Sequence, residues 1–572
     1  MTQTIPIEFE GATLRARPGE TLAATLTAHG VQDFRTTASG QPRGVFCGMG
    51  VCQDCLVEVD GVANRRACMT KIEKPISVRR GAHGRPLIAP SPSAGVNVSG
   101  AFTGTDEPEL REPELLVIGA GPGGLSAALF AQRAGVGVTV LDERSQAGGQ
   151  YYKQLGVSEQ GVLPADAQHR RGAALIDAAR KAGVQIIADA PVWGAFEPKE
   201  FIATVRGRSI RFRPAACIVA AGAYERGWQV PGWTLPGVMT TGAAQTLWRT
   251  SRRLPGQRVL IAGNGPLNLQ LAAELLSGGA SVAAVVEAAP APGLGSLDSL
   301  LTMGLAAPAL VAEGVGYLRT VKRHGVRIVN DTVIESIEKV AGGLSVTLAH
   351  VSGATLTQRI EVDVVCLGYG FEPANELLRA LGCVHDFDPR RRQLATRRDE
   401  TGLTSIAGVY ALGDCTGLGG AKAALAEGVV VGAAVAAALG HAPAETLMHE
   451  RARAVNELAR QRRFQHALWN VYASPLTAPR ERCGDTVICR CEEVTFAQLD
   501  AALDEGLSTA GAIKRRTRIG MGRCQGRYCA PVLDEIVCER FGRSRDEMSG
   551  FAPRVPVKPV TIAELSGRGS GS

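Results

Sequence analysis

Residues 114–143 read ELLVIGAGPGGLSAALFAQRAGVGVTVLDE, and the fold follows from this stretch. An apolar run, Leu115 to Ile118, ends in Gly119-x-Gly121-x-x-Gly124, with Pro122 and Gly123 inside the turn. A helical pattern comes next, then the β-rich Val138-Thr139-Val140-Leu141, closed by Asp142 and Glu143. The order predicts a strand, a glycine turn, a helix and a second strand. The first glycine makes the turn, the second admits a pyrophosphate to the backbone, and the third packs helix on strand. The helix N-terminus faces the phosphates, and the acid is placed for a ribose hydroxyl. A glycine-rich loop alone would say little; with both strands and the acid it predicts a nucleotide site.

Two later stretches extend the pattern. RVLIAGNGPLNLQLAAELLSGGASVAAVVE, from Arg258, keeps Gly263 and Gly265, puts Asn268 where the third glycine stood, and ends on Glu287. An acid there suits NAD better than NADP, and a degenerate domain kept as scaffold is the competing expectation. The loss of the third glycine is expected to weaken helix–strand packing. Further on, GVYALGDCTGLGGAKAALAEGVVVG (408–432) runs a strand into Gly413-Asp414 and a helix. Two dinucleotide motifs followed by such an aspartate predict a two-dinucleotide flavoprotein with FAD in the first site. Gly149 and Gln150, in the turn QAGGQYYK, would pass close to the isoalloxazine. Val192, Ala221 and Gly222 complete the expected lining. No paired redox cysteines occur in this body, and Cys217, Cys366, Cys383 and Cys415 stand alone as expected core residues.

Cysteine spacing supplies the second theme. Cys47, Cys52 and Cys55 follow C-x4-C-x2-C, with Cys68 further on, as a [2Fe–2S] cluster requires. Near the other end, Cys489 and Cys491 form C-x-C, and Cys524 and Cys529 form C-x4-C. This set also predicts a [2Fe–2S] cluster, in a small helical module whose first helix opens on the capping box Thr495-x-x-Gln498. Zinc is the rival in both places, and more seriously in the second.

The 572 residues include 62 basic and 55 acidic side chains, a net charge of only +7. Arg390 to Arg392 and Lys514 to Arg516 read as solvated faces, so nucleic acid is not an expected partner. The N-terminus MTQTIPIEFE lacks the order of a signal peptide, and Val429–Leu439 and Met303–Ala312 are too short to cross a bilayer. A cytoplasmic chain without a transmembrane segment is expected. The expected class is multidomain α/β. Its parts are a β-grasp ferredoxin-like domain (1–80), a linker (81–112), an FAD-binding domain in two pieces (113–250, 353–445) and a second Rossmann-like domain (251–352). A helical connector (446–480), a C-terminal cluster domain (481–550) and a disordered tail (551–572) follow.

GAGPGG, GGQYYK, AAGAYER, PGWTLPGVMTTGAAQ, GNGPLN and the C-terminal cysteine pattern resemble the α subunits of opine, D-hydroxyproline and proline dehydrogenases. Hydrogen cyanide synthase is similar, and so is the front half of the α chain of sarcosine oxidase. The first eighty residues resemble the separate small [2Fe–2S] subunit of the same complexes, so the chain reads as a fusion. The resemblance implies that a partner, a glycine-oxidase-like FAD subunit, oxidises an amine or imino acid. This chain would then relay the electrons, with FMN at the subunit boundary as one route and a quinone or the respiratory chain as the acceptor. Peripheral attachment at the inner membrane would come through partners. No acid/base pair or nucleophile–His arrangement competes, so no catalytic residue is expected. A self-contained NAD(P)H oxidoreductase and a non-enzymatic scaffold remain as alternatives.

Overall fold

A computed structural model describes residues 4–82, 108–157, 164–196, 199–474, 479 and 483–565. Leu115–Ile118 forms the centre of a five-stranded parallel sheet. Its strand order is Gln185–Ile187, Val138–Leu141, Leu115–Ile118, Ala216–Val219 and Val409–Ala411. These strands are short apolar runs because both faces of the sheet are covered. One face carries the helix Pro122–Arg133, pressed against Ala421–Ala438. The approach is backbone-close: a Cβ on Gly428 would sit 2.4 Å from the Gly123 carbonyl oxygen. By length and composition Ala421–Ala438 could cross a membrane, as could the bent pair Leu294–Ala306 and Pro308–Arg323 taken as one, but 61% of the former is buried in the protein. It is longer than the apolar run read from sequence because small residues precede Val429.

The second dinucleotide domain has its own parallel sheet, ordered Val238–Thr240, Val364–Gly368, Arg258–Gly263, Ser281–Glu287 and Arg327–Val329. Val238–Thr240 and Val364–Gly368 therefore lie in this domain, not in the FAD domain where the sequence boundaries put them. Their registers with each other and with Arg258–Gly263 leave no alternative. The antiparallel strands Thr332–Val340, Gly343–His350 and Thr355–Val362 form a separate three-stranded sheet in the same domain.

The N-terminal module wraps a mixed sheet around the helix Leu22–Ala28, capped by the Thr21 side chain. Its core is continuous with that of the second dinucleotide domain through Ala243, Leu247 and Trp248. A buried ion pair, Arg253–Glu20 at 2.9 Å, adds to that contact. The C-terminal module folds as three helices, Phe496–Asp504, Ala510–Thr517 and Ala530–Arg540, and the Thr495/Gln498 capping box forms as read.

Two further expectations need correction. Most of the linker lies outside the described residues, but Glu109–Arg111 is a strand paired in parallel with Arg208–Phe212. The tail from 551 to 565 is ordered; only its last residues lie outside the described ones. Val557 is buried in the core beneath the first domain, and its N–H donates to the Trp193 carbonyl at 2.8 Å. Lys558 pairs with Glu143, and Ser209 donates to the Glu564 carbonyl. Proline and polar content hid an apolar anchor one residue wide.

Because Val557 is 1% exposed, Val557→Ala should cost about 1–3 kcal/mol. Denaturant unfolding measures this; an unchanged midpoint would mean that the tail is not anchored there.

Candidate functional site

Every first-site residue read from sequence lines one cavity: Gly119, Gly121, Pro122, Gly123, Gly124, Asp142, Glu143, Gly149, Gln150, Val192, Ala221, Gly222, Gly413 and Asp414. Gly121 caps Pro122–Arg133 with no side-chain hydrogen bond, which leaves the first helical amides for a phosphate. Gly124 packs against the turn as the motif requires, since a Cβ there would lie 2.0 Å from the Gly119 carbonyl oxygen.

The two acids divide the work. Both oxygens of Asp142 accept backbone amides, from Ala120 at 2.6 Å and Arg144 at 2.8 Å. Burial raises its pKa. Asp142 thus braces the glycine turn, and its neighbour Glu143 meets Lys558 on the cavity wall. Burial alone would raise Glu143, but Lys558 outweighs it and brings the carboxyl down to about 2. Asp414 has a similar bracing duty: Oδ1 accepts the amides of Gly419 and Gly420 at 2.9 and 2.8 Å, shaping the turn into Ala421–Ala438.

Met49 and Val51 from the first cysteine loop, Arg527 from the second, and Lys558 from the tail also line this cavity. Sequence reading missed them because nothing local marks a contact between modules. Lys153 is a further omission. The residue is 4% exposed; its Nζ donates to the Gln150 carbonyl and Gln245 Oε1, and burial lowers it to about 7. Nearby Glu225, accepting the Gly242 amide, is raised by burial to about 7. Lys153, bonded to the Gln150 carbonyl, and Glu225, near enough to interact with it, are thus two buried groups behind the cavity lining that can change charge near neutrality.

The second fingerprint repeats the bracing. Glu287 accepts the amides of Gly265 at 3.0 Å and Ala289 at 3.1 Å, and burial lifts it to about 7. Gly263 passes close to Gly368, where a Cβ would meet the carbonyl oxygen at 2.1 Å. The lost third glycine does not weaken packing as expected. Asn268 is buried, accepts from Thr241, and fits because Gly368 opposite has no side chain; a Cβ there would sit 2.2 Å from its Oδ1. The mouth differs from the first site. Asn264 Nδ2 donates to the Tyr472 carbonyl at 3.0 Å, so the end of the helix Glu445–Val471 lies on the turn.

Each cysteine set gathers as two thiol pairs within hydrogen-bonding reach: Cys47 with Cys52 and Cys55 with Cys68, Cys489 with Cys529 and Cys491 with Cys524. Among the described residues no three Cys, His, Asp or Glu side chains converge as a single metal ion requires. Two pairs of thiols match two irons with two ligands each, and fit zinc poorly. Cys47 Sγ faces the amides of Met49 and Cys52 at 3.5 and 3.4 Å, donors suited to a thiolate.

The two loops meet. Asp54, between Cys52 and Cys55, forms an ion pair with Arg490, between Cys489 and Cys491, at 2.7 Å. Both side chains are almost fully buried, at 1% and 3% exposed. Arg35 adds a second cation to Asp54 at 2.9 Å, and Arg490 also donates to the Trp233 carbonyl. Burial favours the neutral acid, but Arg490 and Arg35 outweigh it and hold Asp54 below the usual carboxylate range. The guanidinium lies 3.9 Å from the centre of Phe46 and 4.8 Å from that of Trp233. Cys491 Sγ comes within 4.0 Å of the Cys52 carbonyl oxygen. Tyr528 fills the space behind, 5.2 Å from Phe46.

These features define a two-dinucleotide flavoprotein with a [2Fe–2S] module at either end. The model of the pyridine nucleotide-disulphide oxidoreductases matches residues 113–428. The models of a 2Fe-2S iron-sulfur cluster binding domain and a BFD-like [2Fe-2S] binding domain match 2–83 and 487–539. The opine oxidase A chain of Agrobacterium tumefaciens is 33% identical over 79% of this chain and 91% of its own length. Hydrogen cyanide synthase subunit HcnB of Pseudomonas protegens is 29% identical over 78% and 96%. The crystal structure of L-proline dehydrogenase from P. horikoshii shares the fold, with TM-score 0.68 at 21% identity over 98% of this chain and 97% of that one. The chain belongs to the pyridine nucleotide-disulphide oxidoreductases, in the branch that contains the A subunits of the opine oxidases. It is a flavin-dependent oxidoreductase carrying two [2Fe–2S] domains.

Gly124→Ala should open the turn and remove FAD from the purified protein while iron content holds, as visible spectra and iron analysis report. Arg490→Met leaves Asp54 buried with only Arg35 and should cost roughly 3–5 kcal/mol. The double variant Asp54→Asn/Arg490→Met should recover part of that in denaturant titrations. Equal losses in the single and double variants would show that the pair does not hold the loops together.

Proposed function

We propose that this chain is the electron-relaying subunit of a multi-subunit amine or imino-acid dehydrogenase or oxidase, of opine, D-hydroxyproline, proline or sarcosine type. One observation carries the reading: the two cysteine loops are locked face to face, and both reach the wall of the same dinucleotide cavity. When bound, FAD exchanges two electrons and a [2Fe–2S] cluster one, so their pairing converts two-electron oxidation into single-electron traffic. The protein's own residues supply the rest. The amides at the start of Pro122–Arg133 hold phosphate, and Glu143 is the acid available to a ribose. Phe46, Trp233 and Tyr528 keep water from between the cysteine sets. Lys153, bonded to the Gln150 carbonyl, can hold or release a proton there.

Substrate oxidation on a CH–NH bond is assigned to a partner, a glycine-oxidase-like FAD subunit, because the carboxylates lining this cavity brace backbone amides or pair with cations. The similar curated proteins bear subunit names, which supports a heteromeric complex. So does an uncovered apolar stripe, Leu294, Leu297, Leu301 and Leu305, of the kind that subunit contacts bury. FMN would sit at that boundary. Electrons would leave to a quinone or the respiratory chain from a cytoplasmic complex attached to the inner membrane through its partners. The self-contained NADH reading is disfavoured by the Asn264–Tyr472 contact over the second fingerprint.

Purified anaerobically with its co-expressed neighbours, the complex should contain about four irons per copy of this chain, together with FAD. N-alkylated amino acids should bleach it, and the isolated chain should not respond to them. Rapid bleaching of the isolated chain by NADH would overturn the reading in favour of a self-contained reductase. Absence of flavin and iron would leave only a scaffold.

A further inference from the structure

A second cavity, of about 460 Å³, lies against the C-terminal cysteine module. Three parts of the chain form it: the stretch around Glu372 to Leu394, the module's loops and helices, and the tail from Gly550 to Arg554. A wall made by Tyr224, Glu376 and Arg527 separates it from the dinucleotide cavity; all three line both, and Arg527 and Glu376 are paired at 2.9 Å. It is large enough for a small organic ligand.

Two features of its lining point to an occupant. Gln393 is 2% exposed and lines the cavity, and neither its Oε1 nor its Nε2 has a hydrogen-bond partner among the described residues. Leaving both halves of a buried amide unpaired is costly, and native proteins seldom do so without a ligand or water in place. The second feature is charge. Arg379, Lys514 and Arg554 line the cavity, and among the described residues none has a carboxylate at ion-pair distance. Arg379 donates instead to the Phe551 carbonyl at 2.8 Å, tying the tail across the opening. Lys514 stands 5.1 Å above the Phe551 ring, although sequence reading took it for part of a solvated face.

We propose that this cavity binds a small organic anion, a phosphate or carboxylate held by Arg379, Lys514 and Arg554, that presents an amide-like edge of one N–H and one C=O to Gln393. An unpaired side-chain amide is complementary to such an edge, donating from Nε2 and accepting at Oε1. The anionic group then pairs with cations that no carboxylate meets at ion-pair distance among the described residues. The site also adjoins the second cysteine set, because Gly520 and Gly526, whose amides face Cys489 and Cys524, form part of its lining.

The test is calorimetric titration of the full FAD-saturated chain with four probes. Uridine 5′-monophosphate carries the edge and a phosphate, orotate the edge and a carboxylate, ribose 5-phosphate the phosphate alone, and inorganic phosphate the bare anion. At least one edge-bearing probe should bind about five- to tenfold more tightly than ribose 5-phosphate. Gln393→Leu should erase that advantage and leave ribose 5-phosphate within about twofold. Lys514→Met should weaken every probe by about fivefold or more. Whichever of uridine monophosphate and orotate binds more tightly identifies the anionic group. FAD saturation keeps the dinucleotide cavity out of the measurement, and an unchanged thermal midpoint confirms folding; should Gln393→Leu fail to fold, the probe order and Lys514→Met decide. No binding by any probe at about 10 mM, binding indifferent to both substitutions, or inorganic phosphate binding as tightly as the edge-bearing probes would overturn the proposal.

Discussion

The Asp54–Arg490 pair joins residues 436 positions apart and sits at the middle of both cysteine loops. Burying two charges is expensive, and their attraction repays it only where the remaining donors and acceptors are satisfied. Here they are: Arg35 takes the other carboxylate oxygen, the Trp233 carbonyl takes an N–H, and two aromatic faces cover the guanidinium. A hydrophobic contact of equal area would hold the modules together as well. It would not fix their rotation. A charged, planar group bonded on two edges has one seating, so each loop inherits its orientation from the other.

The same interaction determines what can stand near the dinucleotide cavity. The N-terminal module shares a core with the second dinucleotide domain, and the C-terminal module rests on the first through its tail. The cavity lies where these attachments meet, which is why Met49 and Val51 reach it from the N-terminal module, and Arg527 and Lys558 from the C-terminal module and its tail. Electrostatics fits this placement. Two sets of thiolates would crowd negative charge into a small volume, and Arg490, Arg43 and Arg527 stand among them. Burial and the nearby Arg490 lower Arg43 to about 10, still well above neutrality.

What was legible in the sequence is what local geometry dictates. Gly124 had to be glycine for a turn that closes on its own backbone, and Gly119 for its positive φ against the Ala220 carbonyl; the cysteine spacings had to suit loops wrapping four sulfurs. Thr495 and Gln498 satisfy helix amides a few residues away. The rest depended on pairings between distant segments. Val364–Gly368 is an apolar run that would suit either sheet, and only its register with Arg258–Gly263 decides. Asp142 looks like a ribose ligand because its position is right, yet a carboxylate two residues from one amide and opposite another is drawn into bracing both. Val557 reads as one valine among prolines, and its burial follows from a groove that other residues build.

The second dinucleotide domain keeps the geometry of the motif and adds a contact at its mouth. Glu287 braces Gly265 and Ala289 as Asp142 braces Ala120 and Arg144, so the turn has its full support. The missing glycine has been compensated across the interface, where Gly368 provides the room that Asn268 needs, and Asn268 accepts a hydrogen bond from Thr241. These features preserve a rigid sheet, which the N-terminal module needs as its platform. Nucleotide binding needs an open mouth as well, and there the carbonyl of Tyr472 accepts from Asn264. Met303, Ala307, Phe464, Ala467 and Val471 pack behind that contact. A dinucleotide would have to displace the end of a 27-residue helix along with its apolar seat. The retained brace and the contact at the mouth both tie down the sheet on which the N-terminal module packs.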